Sequence, residues 1–368
     1  MGLLGLSGCG SPSSASVEMS SQTELVKTGS MELQYAENFA VDYYEDGYKM
    51  LTTLPDSKRY LLVPEGQPVP KGLDEDVSIL QEPLQNIYLV ASGVMDMFAS
   101  VDAVDQIRFS GQKQENWYIQ TAKDAMAAGD MIYAGKYSKP DYELLVSEGC
   151  DLAIENRMIT HSPEVVEMLQ SFDIPVMIEY SSYEQHPLGK VEWVKFFGAL
   201  TGKEAEAEEA FAEQTEILEK VESGEKTGKT IAFFYVTSNG LIQVRQSTDY
   251  IPKLIELAGG RYIFEDLEDS GSGRSTLNMQ VEDFYAGAKD ADILIYNSSI
   301  DGGVTTLDEL IGKCNILKDF KAVQEGQVYC TTNDMYQQSM AIGYLLQDMH
   351  TVLTDDDTAK LRYLFLLQ

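Results

Sequence analysis

Apolar residues fall in two rhythms along this chain. In the first half, short β-type runs recur at 86–91 (NIYLVA), 106–109 (QIRF), 131–134 (MIYA), 151–155 (DLAIE) and 175–180 (PVMIEY). Several are apolar at successive positions, as strands buried on both faces are. Between them the spacing turns helical. Ser162-Pro163-Glu164 opens a helix with a capping hydroxyl, a proline at the first position and an acid in the first turn. Val165, Met168 and Leu169 then mark its apolar face. Strands alternating with helices predict a parallel sheet covered by helices.

From 188 to 222 the strand rhythm disappears. VEWVKFFGAL and EAEAEEAFAEQTEILEKVE read as two consecutive helices with a break at 198–202, and residues 201–204 have capping-box spacing. A second α/β block follows. It has strands at 229–237, 292–297 and 327–331, a helix at 250–257 ending at Gly259-Gly260, and helix from 339 to about 366. Ahead of the first block, 33–63 reads as a hairpin. The stretch 143–156 also has a partner in 282–297: each opens a helix with Glu, passes an Asp and ends an apolar strand in Asn. The expected fold is therefore α/β, two Rossmann-like lobes around mainly parallel sheets. The divisions are 1–30 as leader and tether, 31–187 as the N-terminal lobe, 188–224 as linking helices and 225–368 as the C-terminal lobe.

Composition narrows the function. The 368 residues hold 27 Lys and Arg against 59 Asp and Glu, a net charge of −32, which repels nucleic acid at long range. The three histidines are scattered and the four cysteines form no C-x-x-C, so zinc and dithiol motifs are missing. No P-loop, nucleophile elbow, H-E-x-x-H or G-x-G-x-x-G is present, and no catalytic residue, resident metal or cofactor is assigned. At the start, Leu6-Ser7-Gly8-Cys9 resembles a bacterial lipobox, which makes Cys9 the lipidated residue, and the Ser-rich 11–22 reads as a tether. No basic segment precedes the leader, a departure from a full signal peptide. Cys150, Cys314 and Cys330 read as small buried apolar residues, with one disulfide left open.

With these features in order, the chain resembles the substrate-binding lipoproteins of ABC importers for ferric siderophores, haem and cobalamin. The matching residues are the LSGC leader, the 143–156 unit, Gly202-Lys203-Glu204, Asp249-Tyr250-Ile251 with Leu257-Ala258-Gly259-Gly260, and the 282–297 unit. The resemblance implies two lobes joined by one long rigid helix, with cargo held in the cleft between them. It implies a permease dimer and its ATPase subunits as partners; the lipobox places the domain on the outer face of the cytoplasmic membrane, and a two-lobed design that does not require self-association is expected as a monomer. By position in the matching units, Glu143 and Glu282 would dock on the permease. As helix-opening acids they also complement the helix dipole.

In open α/β sheets ligands sit beyond the carboxyl ends of the strands. On those loops Trp117, Tyr137, Tyr183, Tyr250 and Tyr336 offer flat faces with a polar handle, and Asn156 a side-chain amide. Arg157 and Arg245 would neutralise an anionic complex, or pair within a lobe with one of the many acids. His186 and the nearby methionines read as capping and core residues ahead of haem ligands. A ferric siderophore is the first cargo, haem or cobalamin the next. The other reading, a metal- or tetrapyrrole-handling enzyme on the same scaffold, needs His or Cys constellations that do not assemble here.

Overall fold

The computed structural model describes Met1 and residues 25–267, 275–298 and 303–368. Cys9, the LSGC leader and the Ser-rich stretch lie outside the described residues. The chain opens with a five-stranded sheet: β1 (Lys27–Ser30), β2 (Phe39–Tyr44), β3 (Lys49–Thr53), β4 (Lys58–Val63) and β5 (Val77–Gln81), in that spatial order. The first three pairings are antiparallel and β4 pairs β5 in parallel. The sequence announced only a hairpin here. Alternation sorts its side chains: Phe39, Val41, Leu51, Tyr60, Leu62 and Leu80 join the main core, whereas Tyr48, Met50, Leu61 and Val63 form a small core on the other face.

Lobe one follows with β6 (Ile87–Leu89), α1 (Val94–Ser100), β7 (Ile107–Ser110), α2 (Gln120–Ala128), β8 (Ile132–Tyr133), the small ladder of β9 (Gly135–Lys136) and β10 (Lys139–Pro140), α3 (Tyr142–Ser147), β11 (Leu152–Asn156), α4 (Pro163–Ser171) and β12 (Val176–Glu179). Its sheet runs β12-β11-β6-β7-β8, parallel throughout.

Two helices then link the lobes, α5 (Pro187–Thr201) and α6 (Glu204–Glu222). The break falls at Gly202, which closes α5 in the left-handed region at φ 71°. The expected capping box is not formed. Thr201 belongs to α5 and its hydroxyl turns back to the Phe197 carbonyl at 2.7 Å, while Lys203, the N-cap residue of α6, gives no side-chain cap. The helices approach closely because Gly198 has no side chain: a Cβ there would lie 2.5 Å from that of Ala207.

Lobe two contains β13 (Thr230–Val236), β14 (Ile242–Arg245), α7 (Tyr250–Leu257), β15 (Arg261–Tyr262), β16 (Thr276–Met279), α8 (Val281–Ala288), β17 (Ile293–Tyr296), α9 (Leu307–Lys313), α10 (Lys321–Gln324), β18 (Val328–Thr331), α11 (Ile342–Thr354) and β19 (Leu364–Leu366). Its sheet runs β16-β14-β13-β17-β18-β19, with β15 beside β13. The centre is parallel and the outer strands β14, β16 and β19 are antiparallel. The sequence reading extended helix across 339–366, but α11 ends at Thr354 and β19 returns to the sheet edge. Nine residues, Asp355 to Tyr363, opening with three aspartates, separate the two elements.

The paired units at 143–156 and 282–297 have a shared physical role. Asp151 accepts the Asn86 N–H at 2.9 Å, just ahead of β6, and Asp292 accepts the Thr230 N–H at 2.7 Å, at the start of β13. In each lobe the aspartate before one strand thereby pins the start of its parallel neighbour.

Candidate ligand cleft

In lobe one the carboxyl end of β11 delivers Asn156 and Arg157. The Asn156 carboxamide oxygen accepts the Met158 N–H at 2.9 Å and caps a short 3-10 turn. The Arg157 guanidinium lies 4.5 Å from the ring centre of Tyr183, which follows β12. Tyr183 is 39% exposed, with its ring edge to Tyr180 at 6.4 Å. Burial, then the charge of Asp56, push the Tyr180 phenol upward, and Arg157 acts the other way.

In lobe two Arg245 ends β14 beneath the loop after β18. Its guanidinium meets Asp249 at 3.3 Å and donates to the Tyr336 hydroxyl, which also accepts from the Asn297 amide at 2.7 Å. Burial works against the arginine's charge, but Tyr336 and Asp249 hold its pKa above the ordinary value. The intralobe pair left open by the sequence is therefore present, with Asp249, which also caps α7 by accepting the Ile251 N–H.

The lobes meet along a polar seam. The Gln337 amide spans it, donating to the Asn116 carbonyl and accepting from the Tyr118 N–H, both at 2.8 Å. Asp96 on α1 accepts the Met340 N–H at 2.7 Å. Gly93 is required where the loop crosses, since a Cβ there would lie 2.8 Å from the Ser339 hydroxyl. Burial, partly opposed by that N–H and by Lys190, pushes the Asp96 carboxyl up to about 6. Lys190 is buried in the same seam, its ammonium 4.9 Å from the Tyr250 ring centre.

Beside the seam a cavity of about 370 Å³ is walled by Tyr35, Glu37, Gln185 and His186 on one side and by Ser247, Thr248, Asp249 and Lys253 on the other. The segment carrying Tyr35 and Glu37 is held by buried acids. Glu192 accepts the N–H groups of Gln34, Tyr35 and Ala36, and Glu184 those of Glu37 and Asn38. His186 caps α5, its Nδ1 accepting the Leu188 N–H at 3.1 Å, and stacks on Tyr35 at 4.4 Å. Burial and then Lys253 hold its pKa below the usual imidazole value.

The structure thus groups Asn156, Arg157 and Tyr183 on one lobe and Arg245 and Tyr336 on the other. Two expected cleft residues are elsewhere. Trp117 is 1% exposed, its indole N–H given to Ser110 at 3.0 Å, so it offers no free face. Tyr137, in the turn between β9 and β10, packs against a lobe-one apolar cluster that includes Tyr88, Leu145 and Val165. Tyr250 is at the seam but buried against Lys190. Glu143 and Glu282 are exposed in the first turns of α3 and α8. Sequence reading missed Lys190, Asp96 and Gln337. One signal was available, because Lys190, Glu192 and Lys195 interrupt an otherwise apolar helix.

These features define a two-lobed, helix-linked binding protein with a polar, partly cationic seam between its lobes. The chain belongs to the periplasmic binding protein family, whose model matches residues 90–335. It is 24% identical to an uncharacterized lipoprotein of Methanocaldococcus jannaschii, over 87% of this chain and 81% of that one. In fold it is similar to the structure of an ABC-type Fe3+-hydroxamate transport protein of Saccharomonospora viridis (TM-score 0.57, 17% identity, 73% of this chain and 93% of that one). It is also similar to a periplasmic haem-binding protein of Vibrio cholerae (TM-score 0.57, 14% identity, 73% and 98%). The five-stranded sheet at 27–81 lies outside the family match. Among the described residues no helix is long and apolar enough to cross a membrane.

Proposed function

We propose that this protein is the extracytoplasmic capture subunit of an ABC importer for an iron complex. The cargo is a ferric siderophore first, haem or cobalamin next, held between the lobes and released to a permease dimer driven by its ATPases. The observation that carries this reading is the pair of cation–tyrosine groups: Arg157 with Tyr183, after β11 and β12 of lobe one, and Arg245 with Tyr336, which reaches it from the loop after β18. The half-buried Arg157 guanidinium gives a bidentate site for anionic oxygen, and the phenol beside it covers apolar ligand surface. The hydroxamate and haem named for two fold neighbours support this cargo class. The LSGC leader and the lipoprotein name of the relative support a lipid anchor at Cys9. Glu143 and Glu282, exposed on equivalent helices, would give two docking points on a basic permease surface.

The test is a titration of the purified domain with ferric catecholate and hydroxamate siderophores, haemin and cyanocobalamin, followed by intrinsic fluorescence. One class should quench saturably at one ligand per chain. No binding by any of them would overturn the reading.

A further inference from the structure

The loop between β1 and β2 lies outside the family match, yet it supplies a wall of the interlobe cavity through Tyr35 and Glu37. It is fixed there before any ligand arrives. Glu192 and Glu184 accept five of its backbone N–H groups, and Gly189 lets it close on α5, since a Cβ there would lie 3.0 Å from the Tyr35 carbonyl oxygen. A wall ordered in advance costs a ligand little to meet. At about 370 Å³ the cavity is at the small end of ligand pockets and suits one arm of a chelate.

The charges lining it are not equally occupied. Asp249 accepts the Ile251 N–H with one oxygen and Arg245 with the other. Lys253 is held by Glu256 at 2.9 Å. Glu37 is the third, and among the described residues its carboxylate makes no hydrogen bond and no ion pair. The Ser247 and Thr248 hydroxyls on the far side have no partner among them either. Tyr35 and His186 stack at 4.4 Å with 18° between their planes, an aromatic wall beside Glu37. From further off Lys253 acts on His186, but so do Glu222 and Glu192, and those two act with Glu219 on Tyr35. The one unpaired charge is thus a carboxylate, beside two free hydroxyl oxygens and an aromatic pair, in a field set by acids. These are the groups that an organic cation meets.

We propose that this cavity receives an alkylammonium group, its charge against Glu37 and its carbon stem along the Tyr35–His186 pair. Two sources supply that chemistry: an amine-ended arm of the ferric cargo, for which the proposal rests on the import reading, or a free aliphatic amine, for which it does not.

The test measures the affinity of wild type and Glu37→Gln for ferrioxamine B, its N-acetylated form and cadaverine, with the His186 ring resonances followed by NMR. Ferrioxamine B ends in a protonated primary amine, and acetylation removes that charge without touching the iron site. Glu37 is exposed and its carboxylate is unbonded, so Glu37→Gln should melt as wild type does. Wild type should favour ferrioxamine B over the acetylated form about 5- to 30-fold, the sum of an exposed ion pair and a cation–π contact, and Glu37→Gln should remove the preference. Binding should also shift the His186 resonances. A saturable, Glu37-dependent shift with cadaverine alone identifies a free amine as the source; a preference seen only with ferrioxamine B identifies the cargo arm. Equal affinity for the two ferric forms together with no cadaverine response overturns the proposal, as does a preference that Glu37→Gln retains, and the import reading survives both. Failure of wild type to bind any ferric siderophore, haemin or cyanocobalamin overturns the import reading, and the cadaverine response then decides the proposal.

Discussion

Glu155 is the residue whose protonation has the plainest consequence. It lies on β11, fully buried, and neither carboxyl oxygen has a hydrogen-bond partner among the described residues. Burial pushes its pKa up to about 8 from an ordinary 4.5. The folded state therefore keeps the proton while the unfolded chain gives it up. Its contribution is full below pH 4.5 and is lost as pH rises toward 8, a cost of about 3 kcal/mol at neutral pH. Glu155→Gln removes the titration. Denaturant midpoints between pH 5 and 8 should show wild type losing stability relative to the variant as pH rises; parallel curves would contradict this. Such a residue was not legible in the sequence, where DLAIEN looks like an ordinary strand with a polar end. Arg157 and Arg245 could be singled out in the sequence, because only seven arginines stand in so acidic a chain. Trp117 was misplaced because an aromatic after a strand looks the same whether it faces a ligand or a core, and only the Ser110 hydroxyl beside it decides.

At the scale of elements, the link between the lobes depends on a close helix crossing. Gly198 lets α5 lie against α6 at Ala207, and Gly202 supplies the left-handed turn between them. Gly198→Leu should cost about 3 kcal/mol or more by overpacking, read as a lowered denaturant midpoint. Gly202→Ala should cost about 1 kcal/mol, since nothing lies within 4 Å of the added Cβ and only backbone strain acts. Equal effects would refute this division. The central strands and the two-helix link were readable from periodicity, since their apolar runs are long. Short edge strands such as β1, β16 and β19 were not, because antiparallel edges of three or four residues carry too few positions for alternation to stand out. The extended helix at 339–366 failed for the same reason: β19 is only LFL.

The whole molecule combines two lobes of related design with a sheet that the family model does not include. The loop between its β1 and β2 is tied to α5 by Glu192 and to the turn ahead of α5 by Glu184, whose carboxylates accept five backbone N–H groups between them, so this loop is built into the lobe interface and walls the cavity through Tyr35 and Glu37. The two-lobed plan was legible from the order of its motifs, whereas this wall was not, because its anchors are long-range contacts between 34–38 and 184–192. If Glu143 and Glu282 dock on the permease, Glu143→Ala with Glu282→Ala should leave cargo affinity within about twofold and abolish stimulation of the reconstituted transporter's ATPase. Retained stimulation would remove them from that role.

The most direct measurement of the central claim is amide hydrogen exchange of the wild type with and without saturating cargo. Cargo held between the lobes should slow exchange at once in 92–97 and 156–158 of lobe one and in 245–250 and 336–340 of lobe two. Protection confined to one lobe, or found only on outer surfaces, would contradict a cleft shared between them.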